Sequence, residues 1–288
     1  MSQKIDVRDL IKNSVHFGHQ TQRANPKMRP YIWGTQEGIH LIDVSKTAYQ
    51  MEKAAKFLED VASAGQSIML VGTKSAAKDI IASIAQRLSL PYATHRWVGG
   101  TFTNPLQVKK SVTKLLHTED VIKKSDQHIY TKKEYGVFQK NLDRLNKNVG
   151  GLRSLAWPVG AVVVVDVKKE HVAIKEAQRA GIPIVALVDT NGNPADIDYV
   201  IPANDDVPRS IAVVMNYLAD AIERGKANAA STAKAIEKIT IDSLPNEAVV
   251  EVLAVEEGEE EDKPKRRAAA APRRRTNGTR PKVTKKDE

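Results

Sequence analysis

Gly72-Thr73-Lys74, Val98-Gly99-Gly100-Thr101, Asp166 and Asp189-Thr190-Asn191 each follow an apolar run. Such positions are where an open α/β sheet places its ligand crevice. The first resembles a phosphate turn, with Lys74 close to a helix start and a glycine beside it. Yet no GxGxxG follows a strand and no GxxxxGK[ST] occurs, so the donor set for a cradled nucleotide is incomplete. Glycines that only permit tight strand-to-helix turns account for the same residues. His16 and His19, with His40 and Asp43 further on, raise the question of a metal. Zinc needs three or four ligands held by outer hydrogen bonds. HxxH supplies two, so neither a metal site nor a cofactor is expected. Seven scattered histidines, no cysteine and no nucleophile elbow give no nucleophile–base pair. These residues alone therefore supply no recognisable catalytic pair.

The basic segments point elsewhere. Arg23, Lys27 and Arg29 lie in an aperiodic stretch, His16–Pro30, and Arg96-Trp97 forms a second site of charge. Between Thr103 and Arg153 there are eleven Lys/Arg against five acids, among them Lys109, Lys110, Lys114, Lys140, Arg144 and Lys147. Lys and Arg neutralise phosphates, and planar groups such as Tyr31, Trp33 and Trp97 can stack on exposed bases. The same aromatics could equally serve a core. The formal net charge of +9 favours polyanionic partners, nucleic acid ahead of an anionic membrane surface. No apolar run reaches a membrane span, and Met1–Leu10 carries no signal-peptide core. The absence of cysteine excludes disulfides and thiolate metal sites, and it fits a reducing cytosol.

The elements that must position these residues are organised around Ala161–Asp166, a run of valines without alternation. A strand with one wet face alternates, so both faces of this one are expected to be buried. A helix over Lys169–Ala180, a stop at Gly181 and a second run at Ile184–Val188 complete a βαβ unit, hence a parallel sheet with helices on both faces. Ser67–Val71, Tyr92–Trp97 and Tyr199–Pro202 read as further strands, and Tyr31–Trp33 with Ile39–Ile42 as a small hairpin. Helices are expected over Asp6–Val15, from Ser45 (as its cap) to Gly65, over Lys74–Leu88 and over Asp206–Arg224.

Pro105–Lys124 and Thr131–Val149, parted by a polar turn at Ser125–His128, read as an antiparallel helical hairpin inserted between two sheet strands. Val108, Val112, Leu115 and Leu116 would meet Val137, Phe138, Leu142 and Leu145 along its seam, with the cations outside. Each arm would reach roughly 30 Å. After Gly225 the composition drifts. Lys226–Lys238 is Ala-rich and compatible with continued helix, and Ala248–Val255 is a brief apolar island. Glu256–Asp262 carries six acids and Lys263–Lys286 eleven Lys/Arg, blocks that cannot bury a core. The division expected is a body at residues 1–104 and 150–225, with an N-terminal extension and β-hairpin at about 1–44. An inserted helical hairpin occupies 105–149, and a tail occupies 226–288, disordered from about 256.

Five blocks, HFGHQTQRANPKMRPYIWGTQEGIHLIDV (His16–Val44), RWVGGTFTN (Arg96–Asn104), VDVKKEHVAI (Val165–Ile174), LVDTNGNP (Leu187–Pro194) and IPANDD (Ile201–Asp206), occur in this order. Together they resemble the bacterial small-subunit ribosomal protein "S two" family, over roughly Asp6–Arg224. The resemblance implies a flavodoxin-like three-layer α/β/α body with a mainly parallel sheet and a protruding helical hairpin. It implies a structural, ribosome-bound role in translation in the cytoplasm. The partners it implies are small-subunit rRNA near the head–body junction and neighbouring small-subunit proteins, including the large mRNA-binding one, which the family helps to seat. It further implies a protein that is not an enzyme, with no small-molecule substrate and no membrane partner. The candidate RNA-binding set is then Arg23, Lys27, Arg29, Arg96, Trp97, Thr103, Asn104, Lys109, Lys110, Lys114, Lys140, Arg144 and Lys147. Where the family often has a second basic residue and an aromatic before Asn-Pro, this chain has Gln22 and Ala24, leaving Arg23 as the cation of that run. The competing reading is a nucleotide- or phosphate-binding α/β protein that uses the strand-end loops.

Overall fold

The computed structural model describes residues 5–124 and 131–242. The readings at Ser125–His128, Ala248–Val255, Glu256–Asp262 and Lys263–Lys286 lie outside the described residues.

The five-stranded sheet consists of β4 (Ser67–Val71), β5 (Tyr92–Ala93), β6 (Val159–Val165), β7 (Ile184–Val188) and β8 (Tyr199–Pro202). The order is β5-β4-β6-β7-β8, and every pair is parallel. This is the flavodoxin-like order, with its switch point between β4 and β6. The valine run is the middle strand, and its residues divide between the two faces. Ala161, Val163 and Val165 enter one core with β4 and the helices α2 (Val44–Ser63), α3 (Ser75–Leu88) and α7 (Pro208–Asp242). Val162 and Val164 enter the other, with α6 (His171–Arg179) and the root of the hairpin α4 (Pro105–Lys124) and α5 (Lys132–Val149). Both faces being apolar, the strand has no reason to alternate.

A second sheet lies at the N-terminal end, after the short helix α1 (Val7–Lys12). It contains β1 (Phe17–Gln20), β2 (Ile32–Gln36) and β3 (Ile39–Ile42) in the order β1-β3-β2, all antiparallel. The expected hairpin is present, and part of the stretch taken for loop supplies its third strand. The cap of α2 also differs from expectation. Asp43, not Ser45, accepts from the free N–H groups of Ser45 at 3.0 Å and Lys46 at 3.4 Å. The second sheet strand stops at Ala93 instead of reaching Trp97.

In the hairpin, Thr131 and Glu134 form a reciprocal capping box at the start of α5. Val108 and Leu115 are buried, and Val112, Leu142 and Leu145 pack against them. Leu116 and Val137 were expected in the seam but are exposed. α7 does not end at Gly225. A Cβ there would fall 2.5 Å from the Glu59 carbonyl oxygen and 2.7 Å from Ala62 Cβ, so this glycine serves close packing against α2 rather than a stop. The chain divides into two units, Met1–Ala235 and Ile236–Glu288.

Candidate functional site

The carboxyl ends of β4, β6, β7 and β8 open on one crevice, whose donors are already engaged. Thr73, in the turn after β4, donates its backbone N–H to Glu170 Oε1 at 3.1 Å and its hydroxyl to the same oxygen. Lys169 Nζ donates to the Thr73 carbonyl at 3.0 Å. Lys74 Nζ lies 2.6 Å from Asp205 Oδ1, 2.6 Å from Asp206 Oδ1 and 3.9 Å from Asp166 Oδ2. The groups that resembled a phosphate turn therefore hold carboxylates of the chain itself, and an incoming phosphate would face like charges. Gly72 is explained by packing, since a Cβ there would fall 2.2 Å from Ile81 Cδ1.

β1 delivers His19 to the same crevice. Its partner loop approaches closely because residue 18 is glycine, where a Cβ would lie 2.5 Å from Thr190 Cγ2. The His19 N–H donates to Thr190 Oγ1 at 2.8 Å, and its Nε2 lies 3.1 Å from Asn191 Nδ2 and 3.3 Å from Asp206 Oδ2. His19 Nδ1 and Asp189 Oδ2 stand 3.0 Å apart, both buried, yet their alignment is not that of a hydrogen bond. One ligand atom each from His19, Asp189, Asp205 and Asp206 lies within 4.8 Å of the others. One imidazole and three carboxylates suit a divalent cation. Of the His16–His19 pair weighed from the sequence with His40 and Asp43, only His19 belongs to this group. The three carboxylates come from two separate strand ends: Asp189 closes an apolar run, whereas Asp205 and Asp206 follow β8 without that signal.

The charges of the crevice are mutually tuned. Burial, with the Asp189 carboxylate adding to it, pushes Asp205 up to about 7 against the pull of Lys74. Burial would lower the Lys74 ammonium, but its hydrogen bonds to Asp205 and Asp206 hold it raised. Burial would raise Asp206, and Lys74 more than offsets it, so this carboxyl is lowered. Contact with Asp189 is the largest cause of the raised His19, ahead of an opposing cost of burial.

Of the candidate RNA-binding residues, Arg23 is close enough to the crevice to help lower Asp206. Arg23, Lys27, Arg29, Arg96, Thr103, Asn104, Lys109, Lys110, Lys114, Lys140, Arg144 and Lys147 are all exposed. Among the described residues none of these cations forms an ion pair. Trp97 is the exception. It is only 8% exposed and stacks at a tilt on Phe102 at 5.0 Å. Its Nε1 donates to Glu176 Oε1 at 3.2 Å. Glu176 also accepts from the N–H groups of Gly100 at 2.9 Å and Phe102 at 3.2 Å, so a buried carboxylate organises the loop that enters α4. A base cannot stack on Trp97 without dismantling that loop. Trp33, in contrast, is 76% exposed and borders a cleft of about 400 Å³ with Arg29 and His40.

Comparison with known proteins agrees with the geometry. The family described as Ribosomal protein S2 matches residues 10–225. The chain is 43% identical over 224 residues to "Small ribosomal subunit protein uS2" of Geotalea uraniireducens, covering 77% of this chain and 88% of that one. It is 44% identical over 222 residues to the protein of that name from Chlorobaculum tepidum, covering 77% and 89%. For the Flavobacterium psychrophilum protein of that name the figures are 40% over 256 residues, 89% and 96%. A family match across most of the chain, joined to a flavodoxin-like sheet with an inserted helical hairpin, places this chain in the ribosomal protein S2 family.

Proposed function

We propose that this protein is a structural, non-enzymatic component of the small ribosomal subunit in translation, ribosome-bound in the cytoplasm. It binds small-subunit rRNA near the head–body junction and helps to seat the large mRNA-binding ribosomal protein. The observation that carries this reading is the division of charge. The phosphate-like turn at Thr73 and Lys74 is filled by Glu170, Asp205 and Asp206. Lys109, Lys110, Lys114, Lys140, Arg144 and Lys147 of the hairpin stand exposed and, among the described residues, in no ion pair. Lys and Arg in that state neutralise phosphates and release counterions, which is the sequence-independent part of RNA binding.

The test is the combined variant Lys109→Glu, Lys110→Glu and Lys114→Glu. Exposed charge changes alter stability by only about 0.5 kcal/mol. The melting curve should therefore match that of the wild type, while occupancy of purified small subunits falls. Full occupancy would show that these lysines are only a solvated face.

A second reading concerns the crevice, which we infer holds a divalent cation. His19 Nδ1 and Asp189 Oδ2 are buried without a hydrogen-bond partner and face one another at 3.0 Å. A cation between His19, Asp189, Asp205 and Asp206 would satisfy both and tie β1 to the ends of β7 and β8. Zinc at 100 times its Kd should stabilise the wild type by about 2.7 kcal/mol. The gain should vanish in Asp189→Asn. An equal gain in that variant would place the cation elsewhere.

A further inference from the structure

At the root of the hairpin, α5 turns through Gly150–Leu152 onto the edge strand β5. A cleft of about 400 Å³ opens there, with Tyr92, Thr94 and His95 on the strand side and Asn146, Lys147 and Asn148 on the helix side. Cavities of this size, roughly 300–1,000 Å³, are the ones that take small ligands. Its walls are fixed by close contacts. A Cβ on Gly151 would fall 2.2 Å from the Tyr92 carbonyl oxygen, so only glycine lets the turn lie against the strand. Arg153, at the rim, is held by Glu119 Oε2 at 3.1 Å and Asn146 Oδ1 at 3.0 Å. That pairing neutralises Arg153 and anchors the end of α5 to α4. His95 and Lys147 remain exposed and without an ion pair among the described residues, and no carboxylate lines the cleft.

The cleft is also the end of a track. Lys140, Arg144 and Lys147 are spaced by four and three residues along α5, so they share one helix face. A polyanion following that face arrives at the cleft. A free mononucleotide would use the cleft alone and leave the track idle.

We propose that this cleft receives one nucleotide of the rRNA, turned out of its stack. Lys147 meets its phosphate, and the side-chain amide of Asn148 with the Thr94 hydroxyl meets polar edges of the base. Amide and hydroxyl groups can both donate and accept, which is what a base edge requires. The inference rests on the RNA-binding reading given above and adds to it a defined seat.

The experiment uses the full-length protein with purified small-subunit rRNA and, separately, AMP. Thr94→Trp fills the cleft without changing charge, and Lys147→Ala removes the phosphate contact. Thr94→Trp should keep the wild-type melting midpoint and weaken RNA binding about tenfold, the weight of one base contact. Lys147→Ala should reduce the slope of log affinity against log salt by about one. Photoactivatable 4-thiouridine in the rRNA should crosslink to the peptide holding Tyr92 and His95. If Thr94→Trp unfolds, Asn148→Asp, which takes the amide donor from the base edge and puts a negative charge in the cleft, replaces it and should weaken RNA binding in the same way. RNA affinity unchanged by the cleft variants but lost in the Lys109, Lys110 and Lys114 reversal overturns the seat and leaves the RNA-binding reading intact. RNA affinity unchanged in all of them overturns both. AMP that binds the wild type and not Thr94→Trp, with RNA binding unaffected, makes this a mononucleotide site and overturns the assignment to RNA.

Discussion

Leu115 and Leu116 are adjacent leucines on α4, and the apolar spacing of the sequence assigns both to the hairpin seam. The structure separates them. Leu115 is 0% exposed and belongs to the cluster of Trp97, Phe102, Val149 and Leu152, whereas Leu116 is 46% exposed. Leu→Ala at a fully buried site loses the transfer free energy of the removed carbons and leaves a cavity, together about 3–4 kcal/mol. At Leu116 solvent fills the space, and only about half of a leucine's burial gain of roughly 1.5–3 kcal/mol is at stake, so the loss is about 1 kcal/mol. For a domain of this size the two variants should melt about 10 °C and about 3 °C below the wild type. Urea unfolding followed by circular dichroism should show a lower midpoint for Leu115→Ala at unchanged slope, because the buried seam is continuous with the body's core. Equal losses in the two variants would refute the assignment of Leu115 to that core. So would a loss below about 1 kcal/mol in Leu115→Ala, which would make the hairpin root an independent, weakly attached element.

Two further outcomes follow from the crevice and the loop. Asp205 is held protonated to about 7, while an ordinary aspartate in the unfolded chain titrates near 3.8. Between these limits the folded state binds more protons than the unfolded one, so stability falls as pH rises from about 4 to about 7 and levels off above. His19, raised in the folded state, adds stability below its unfolded value that is lost as pH climbs through the folded one, reinforcing the fall. Asp205→Asn should flatten the decline when denaturant midpoints are compared at several pH values, and an unaltered profile would assign it to other groups. Glu176→Ala leaves the N–H donors of Trp97, Gly100 and Phe102 without their acceptor. Buried donors left unpaired cost about 1–3 kcal/mol each before relaxation. The variant should therefore lose several times more stability than Glu119→Ala, whose partner Arg153 is exposed; comparable losses would argue against the buried-anchor role.

Much of the architecture was legible because each element carries its own periodic signal. The unalternating valines of Ala161–Val165 announced a strand buried on both faces, and Gly181 and the Asp residues at run ends marked the turns. The helix start at Thr131 was read within a residue of its observed position, Lys132. The misreadings have a common cause. Periodicity tells which residues of an element are apolar but not what the element packs against. Leu116 and Val137 fit the pattern but had no facing partner, and β1 became a strand only because β3 supplied its hydrogen bonds. Gly225 carries a stop signal that α7 overrides, since the missing Cβ lets α2 approach.

By itself the sequence determined the fold class, the family and the basic character of the hairpin, since these depend on local pattern and ordered motifs. Tertiary structure alone decided the chemistry at the sheet ends. His19 and Asp189 are 170 positions apart in the chain, and nothing in either neighbourhood specifies their approach to 3.0 Å. Lys74 had only a passing likeness to a phosphate-turn lysine, and the fold sets Asp205 and Asp206 against it at 2.6 Å. Trp97 read as either a stacking surface or a core residue, and its hydrogen bond to Glu176 draws its loop inward. In each case what the residue does is set by which distant group neutralises or desolvates it, and that partner is chosen by the strand order of the sheet.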